Sequence, residues 1–140
     1  MKIRHSWCIA IMSMLLGSNV FSQGYTYSDG SANTYKIAPE MLEYIPVRKE
    51  HSSSGNYSGG TAKTVKISSD DYSLIRGLLE EAIAQKAAHT ALRAKMSGRI
   101  SRNIESEETE VILRPGAAIK NQIEKKLSEF LNRGAQNEVP

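Results

Sequence analysis

The sequence predicts an α+β protein in which a small three-stranded sheet, made of a hairpin and a later strand, is packed by two amphipathic helices. The predicted order is β-β-α-β-α. Strand-like segments flank a polar stretch near the middle, two later segments carry apolar stripes at helical spacing, and a short apolar run lies between those helices. Packing both helical stripes against one sheet is the simplest way to bury them.

The first 22 residues have the three parts of a secretory signal peptide. Lys2 and Arg4 precede an apolar run from Trp7 to Leu16, and the segment ends in small residues at the positions that a signal peptidase reads. The apolar run is about half of the ~20 residues that a membrane-crossing helix needs. We therefore expect cleavage after Ser22, a secreted or periplasmic location, and no stable membrane span in the mature chain.

Composition narrows the class of protein further. The full chain has 18 Lys and Arg against 15 Asp and Glu; without Lys2 and Arg4, the balance becomes 16 against 15, a net charge of +1. This argues against nucleic acid as a partner, since that binding needs a surplus of clustered cations. The single cysteine, Cys8, lies within the predicted signal, so the mature chain depends on an ordinary core and not on disulfides.

Residues 23–36 are predicted to form a flexible N-terminal arm ahead of a single domain over residues 37–134, and residues 135–140 a C-terminal tail. The arm is rich in Gly, Ser, Asn and Tyr and has almost no aliphatic side chain, which is typical of poorly ordered termini. Tyr25 and Tyr27 would share one face of an extended chain.

The predicted hairpin consists of two strands joined by a long polar loop. Strand-favouring side chains fill the first segment, Met41 to Val47. Pro46 within it indicates either an edge strand or an early end of the strand, because proline cannot donate to a ladder. The second segment, Ala62 to Ile67, alternates polar and apolar residues. Between them, Glu50 to Gly60 has the Ser, Gly and Asn content of a loop.

The first predicted helix follows Ser68, which is placed as its N-cap with Asp70 and Asp71 in the first turn. Its helical pattern extends from Ser69 to Ser97, where Gly98 would stop it. Because this exceeds the usual length of a helix, the sequence leaves open whether the helix is kinked or broken near residues 85–88. Residues 99–110 are read as a charged surface connector.

Val111 to Leu113 supplies the third predicted strand. Ala117 to Arg133 is the second predicted helix, with an apolar stripe on one face and Gly134 as its C-terminal stop.

Catalytic and metal-binding patterns are weak in this sequence. His51 lies beside Ser52, Ser53 and Ser54, but no nucleophile-elbow motif accompanies them. The mature chain has only two histidines and no cysteine, and neither histidine has metal-ligand spacing. We therefore predict a protein that is not an enzyme, with no catalytic residues, no metal and no cofactor.

With catalysis and metal binding disfavoured, the remaining class of function is the binding of a partner. Tyrosine together with Ser, Gly and Asn is the composition of adaptable binding surfaces, and the predicted partner-binding residues are Tyr57, Ser54, Asn56, Tyr25, Tyr27 and His51. The sequence thus predicts a small exported non-catalytic interaction protein of the bacterial envelope or periplasm, whose hairpin loop binds another envelope or secreted protein. An inhibitor of an exported hydrolase and a structural envelope protein are the alternatives. The sequence leaves the oligomeric state open.

Overall fold

The computed structural model describes residues 24–136, with side chains as far as residue 134. The predicted signal peptide and residues 137–140 of the predicted tail lie outside the described residues. The strands are β1 (Gly24–Ser28), β2 (Thr34–Ala38), β3 (Met41–Ile45), β4 (Lys63–Lys66), β5 (Gly98–Ile104) and β6 (Glu107–Leu113). The helices are α1 (Ser69–Ala84) and α2 (Ala118–Gln136), and short 3-10 turns cover Lys49–His51 and Lys86–Ala88.

All six strands form one antiparallel sheet in the order β4-β3-β2-β1-β5-β6. The α+β class is confirmed, but the three-stranded sheet is wrong, because β1, β2 and β5 come from segments read as an arm and a connector. The hairpin of β3 and β4 is confirmed, with Leu42 opposite Val65. Of the two outcomes expected of Pro46, the early end of the strand is confirmed, because β3 ends at Ile45. β3 is not an edge strand, since β4 forms the edge.

In β1 and β2, which the sequence did not predict as strands, tyrosines take the core positions that aliphatic residues usually occupy. Tyr25 and Tyr27 of β1 are both fully buried. Tyr35 of β2 packs between Tyr27 and Tyr44 with tilted rings, whose centroids lie 6.2 and 5.0 Å from its own. Cross-strand aromatic pairs of this kind stabilise a sheet. Residues 24–28 therefore form the strand to which β2 and β5 both pair.

The β5–β6 hairpin has a two-residue turn at Glu105 and Ser106, which have φ angles of 53° and 67°. Two successive positive φ angles are typical of the turn that matches strand twist, and that turn usually carries Asn-Gly or Asp-Gly. Because Glu-Ser stands in place of Asn-Gly or Asp-Gly, the sequence has no signal for this hairpin turn. Gly98, predicted as a helix stop, instead begins β5, where a Cβ would lie only 3.1 Å from the ring carbon Cζ of Tyr27.

Both helices pack on the face of the sheet that carries Tyr25 and Tyr27. Ser68 is the N-cap of α1 as predicted, since its hydroxyl oxygen accepts a hydrogen bond from the Asp71 amide at 3.1 Å. α1 ends at Ala84, so the helix predicted to reach Ser97 is wrong: a 3-10 turn, Lys86–Ala88, follows it, and residues 89–97 are not helical. The main apolar residues of the two helices in the core are Ile75, Leu79, Ala82, Ile119, Ile123, Leu127, Phe130 and Leu131.

Gly134 does not stop α2, which continues to Gln136. A Cβ on Gly134 would lie 2.6 Å from Val65 Cβ, so the absence of a side chain lets α2 approach β4 closely. At Gly77 in α1 no such close approach exists, because a Cβ there would meet no heavy atom within 4 Å.

These two helical glycines give a matched test of the packing between α2 and β4. We expect Gly77→Ala to raise the free energy of unfolding by about 1 kcal/mol, since alanine is the better helix former. Gly134→Ala has the same gain in propensity but overpacks against Val65, and we expect it to lower the free energy of unfolding by about 1–3 kcal/mol. Urea denaturation measures both, and a stabilised Gly134→Ala variant would contradict the close approach.

Candidate interaction surface

Three connecting segments meet at one end of the sheet. The antiparallel pairing places the turn 29–33 after β1, the long loop 46–62 after β3, and the segment 89–97 before β5 at the same end. We call these three segments together the loop end.

The turn between β1 and β2 is organised by Asp29 and Asn33. The Asp29 carboxylate accepts hydrogen bonds from the backbone amides of Ser31 and Asn33, each at 2.9 Å, and from the Asn33 side-chain amide at 2.8 Å. Asn33 is only 4% exposed. The side-chain oxygen Oδ1 of Asn33 accepts a hydrogen bond from the Val47 amide at 3.0 Å, and its side-chain NH2 group donates to the Tyr57 hydroxyl at 3.2 Å. One buried side chain therefore connects the turn to both ends of the long loop.

The long loop is closed at its base. The Gly59 amide donates to the Val47 carbonyl at 3.1 Å, and the Tyr44 hydroxyl donates to the Gly59 carbonyl at 2.7 Å. Gly59 is required at this point, because a Cβ would lie 2.8 Å from Pro46 Cβ and 2.9 Å from the Tyr44 hydroxyl oxygen. Residues 48–58 between these contacts are almost all exposed. The loop is thus a protrusion on a fixed base.

The segment 89–97 packs against the other side of the turn. Arg93 donates to the Asp29 carbonyl at 3.3 Å, and a Cβ on Gly30 would lie 2.8 Å from the carbonyl carbon of Met96. Two large apolar side chains of this segment face solvent: Leu92 is 79% exposed and Met96 is 54% exposed. These two side chains add exposed apolar surface to the loop end.

The structure separates the six predicted partner-binding residues into two groups. Tyr57, His51, Ser54 and Asn56 are all exposed in the long loop, and Tyr57 is 43% exposed. Ser54 also accepts a hydrogen bond from the Asn56 amide at 3.4 Å. In contrast, Tyr25 and Tyr27 lie in the core. They are not presented to solvent in this fold.

The hydroxyl groups of Tyr25 and Tyr27 each bind a glutamate from one helix. Tyr25 donates to Glu80 of α1, whose carboxylate also accepts two hydrogen bonds from Arg102 at 3.1 and 2.8 Å. Tyr27 donates to Glu124 of α2 at 2.8 Å, and Glu124 pairs with the Lys120 ammonium at 2.9 Å.

These environments favour the neutral form of the tyrosines. Burial and the Glu80 carboxylate raise the pKa of Tyr25 to about 12. Burial and Glu124 raise the pKa of Tyr27 still further. Burial also raises the pKa values of Tyr35 and Tyr44. Although burial opposes ionisation of Glu80, its hydrogen bonds with Tyr25 and Arg102 outweigh that effect and lower its pKa.

Sequence reasoning missed Asn33, Leu92 and Met96 as parts of this surface. Asp29-Gly30 between tyrosine-rich segments is a hairpin signal that would have located Asn33 in a turn. The helical pattern toward Ser97 predicts that Leu92 and Met96 lie at the end of a long helix, which gives no indication of their exposure beside the turn. Met96 has a φ of 66°, a conformation that a non-glycine residue adopts only when its surroundings hold it there.

Comparisons with models of protein families, with curated proteins and with solved structures find no significant match to this chain. Neither of the two described helices combines the length and apolar character that crossing a membrane requires. Within residues 24–136, no group of three or more His, Cys, Asp or Glu side chains is arranged to hold a metal ion.

The raised tyrosine pKa values predict a loss of stability at alkaline pH. Since the folded pKa of Tyr25 lies above the unfolded value of about 10, its contribution is fully present below pH 10 and is lost as pH rises through about 12. We expect tyrosinate absorbance from the four shifted tyrosines to appear together with loss of circular dichroism. If all six tyrosines ionised near pH 10 with the secondary structure intact, the buried hydroxyl contacts would be contradicted.

The left-handed backbone at Met96 predicts that glycine is tolerated there. We expect Met96→Gly to raise the free energy of unfolding by about 1 kcal/mol, because glycine adopts a positive φ without the steric cost of a Cβ. Glu40→Gly, in the turn at the other end of the sheet with a φ of 65°, is the matched control and should behave alike. Chemical denaturation measures both, and a destabilised Met96→Gly protein would show that its side chain supports the fold.

Proposed function

We propose that the protein is a non-catalytic interaction protein of the bacterial envelope or periplasm that binds a partner protein through its loop end. The observation that carries the proposal is the joining of three segments by Asn33 and Arg93 into one surface with exposed Tyr57, Leu92 and Met96. A surface held in place before binding loses less conformational freedom when the partner arrives. Tyrosine is also a frequent anchor in such interfaces.

The charges of the loop end favour an acidic partner. Arg48, Lys49, Arg93 and Lys95 are exposed there, against Glu50 as the exposed acid. Asp29 also carries a negative charge within the turn, so the loop end has four cations against two carboxylates, a surplus of two positive charges. Complementary charge at the edge of an interface speeds association and selects partners. We therefore propose that the partner surface has carboxylates around an apolar patch that receives Tyr57 and Leu92.

The proposal of a binding role, and not a catalytic one, is consistent with the geometry around His51. The Ser52 hydroxyl donates to the Lys49 carbonyl at 2.9 Å and not to the His51 ring. His51 itself is exposed in the 3-10 turn Lys49–His51. A serine nucleophile needs a base that reaches its hydroxyl and a third group that orients the base.

Inhibition of an exported hydrolase is the second candidate. It is favoured by the long loop alone, which protrudes over residues 48–58 from a base closed by Val47, Gly59 and Tyr44. Such a loop would enter an enzyme cleft from a base that is already held in place. The two candidates differ in the expected partner: an inhibitor would protect one class of exported hydrolase from its substrate.

Substitutions at the loop end should weaken binding without unfolding the protein. A photo-crosslinking side chain at position 57 or 92 would capture the partner from the envelope fraction and identify it. With that partner purified, we expect Tyr57→Ala and Leu92→Ala each to lower the affinity at least about tenfold, the effect of a central anchor residue. Isothermal titration calorimetry measures the change.

Leu74→Ala is the matched control, because Leu74 is 44% exposed on α1, away from the loop end. It should bind like the wild type. Equal affinity of wild type, Tyr57→Ala and Leu92→Ala would refute the proposed surface. A protein without any saturable partner would instead be expected of a purely structural envelope component.

A further inference from the structure

The two edges of the sheet are open to further pairing in the described part of the chain. β4 pairs only with β3 there, so its outer side presents backbone groups from Lys63 to Lys66. The outer side of β6 is partly occupied, since Leu113 bridges to His89 and the Thr90 amide donates to the Ile112 carbonyl. The half of β6 from Glu107 to Glu110 has no strand beside it within residues 24–136 other than β5.

Each edge carries charge of one sign. Lys63 and Lys66 are exposed on β4, and Glu107, Glu108 and Glu110 are exposed on β6. Like charges placed directly opposite each other destabilise a strand pair, whereas opposite charges stabilise it. Pairing of β4 with β4, or of β6 with β6, is therefore disfavoured. Pairing of β4 with β6 of a second copy is favoured.

Strand direction permits this pairing. Because six strands alternate in direction across the sheet, β4 and β6 run antiparallel to each other. A copy translated across the strands would thus continue the antiparallel sheet and keep its helices on the same face. In an antiparallel sheet of three or five strands, the two edge strands would run parallel to each other. A translated copy would then form a parallel pair with the first and interrupt the antiparallel sheet.

The register also continues without a shift. One row across the sheet runs through Val65, Leu42, Ile37, Tyr25, Arg102 and Thr109. Extending this row places Thr109 of a second copy opposite Val65, and Glu108 of that copy opposite Lys66. Opposed pairs in a row alternate between hydrogen-bonded and non-hydrogen-bonded. Because the row has five pairs within one copy, the sixth pair, between the two copies, would be of the opposite kind to the fifth. The alternation of the two kinds of pair therefore continues from one copy into the next.

We propose that a second copy of this chain pairs its β6 edge with the β4 edge of the first, so that copies associate head to tail into a continuous twisted sheet. The surface is distinct from the loop end, and the proposal does not depend on the proposed function. The rival explanation is that charged edges serve only to block pairing, as lysine on edge strands commonly does. The two explanations predict different behaviour of charge variants.

Sedimentation velocity of the purified protein tests the proposal. At low ionic strength we expect the wild type to associate as its concentration rises from about 10 µM to about 1 mM, because a four-residue edge gives a weak contact. Added salt should weaken the association by screening. Lys66→Glu and Glu108→Lys should each weaken it about fivefold or more, since each places like charges opposite each other.

Mixing the two variants distinguishes pairing of β4 with β6 from the rival explanation. An equimolar mixture of Lys66→Glu and Glu108→Lys should recover association, because glutamate at position 66 of one protein meets lysine at position 108 of the other. Lys125→Glu and Glu81→Lys make the same charge changes on exposed helical positions and should associate like the wild type. A wild type that stays monomeric throughout, or a mixture no more associated than its components, would overturn the proposal.

Discussion

The structure depends most on the central strand β1 and its two buried tyrosines. Tyr25 attaches the sheet to α1 through Glu80, and Tyr27 attaches it to α2 through Glu124. A tyrosine supplies a large apolar ring for the core and a hydroxyl group that needs a partner when it is buried. The two glutamates provide those partners, and Arg102 and Lys120 in turn balance their charges. Both helices are therefore fixed relative to one strand.

This arrangement divides the tyrosines by role. Tyr25 and Tyr27 hold the fold together, whereas Tyr57 is exposed on a loop whose position depends on the turn that follows β1. Asn33 in that turn connects to Tyr57 and to the Val47 amide, so the loop end is supported by the same strand that supports the helices. The proposed binding surface is thus an extension of a rigid centre, which limits the entropy lost on binding.

The elements with regular apolar patterns were predictable from the sequence. The capped start of α1 at Ser68 and the β3–β4 hairpin have aliphatic periodicity or a capping residue. The end of α1 at Ala84 was not predictable in this way, because the alanine-rich residues that follow it keep a high helix propensity. β1 and β2 were not predicted as strands, because their core residues are mostly tyrosines surrounded in sequence by Ser, Gly and Asn. Of the candidate site, Tyr57 was predicted from composition. The position of Met96 depends on long-range packing against Gly30 that no local pattern encodes, and Leu92 lies in the same segment.

Native-state hydrogen exchange of β1 tests most directly whether this segment is the centre of the fold. Its amides lie between β2 and β5, so those that donate to either neighbour should exchange only through global unfolding, among the slowest in the protein. Their exchange free energies should then equal the free energy of unfolding. Exchange of these amides at the rate of an unstructured peptide, with α1 and α2 still protected, would show that residues 24–28 are an arm and would contradict the central role of β1.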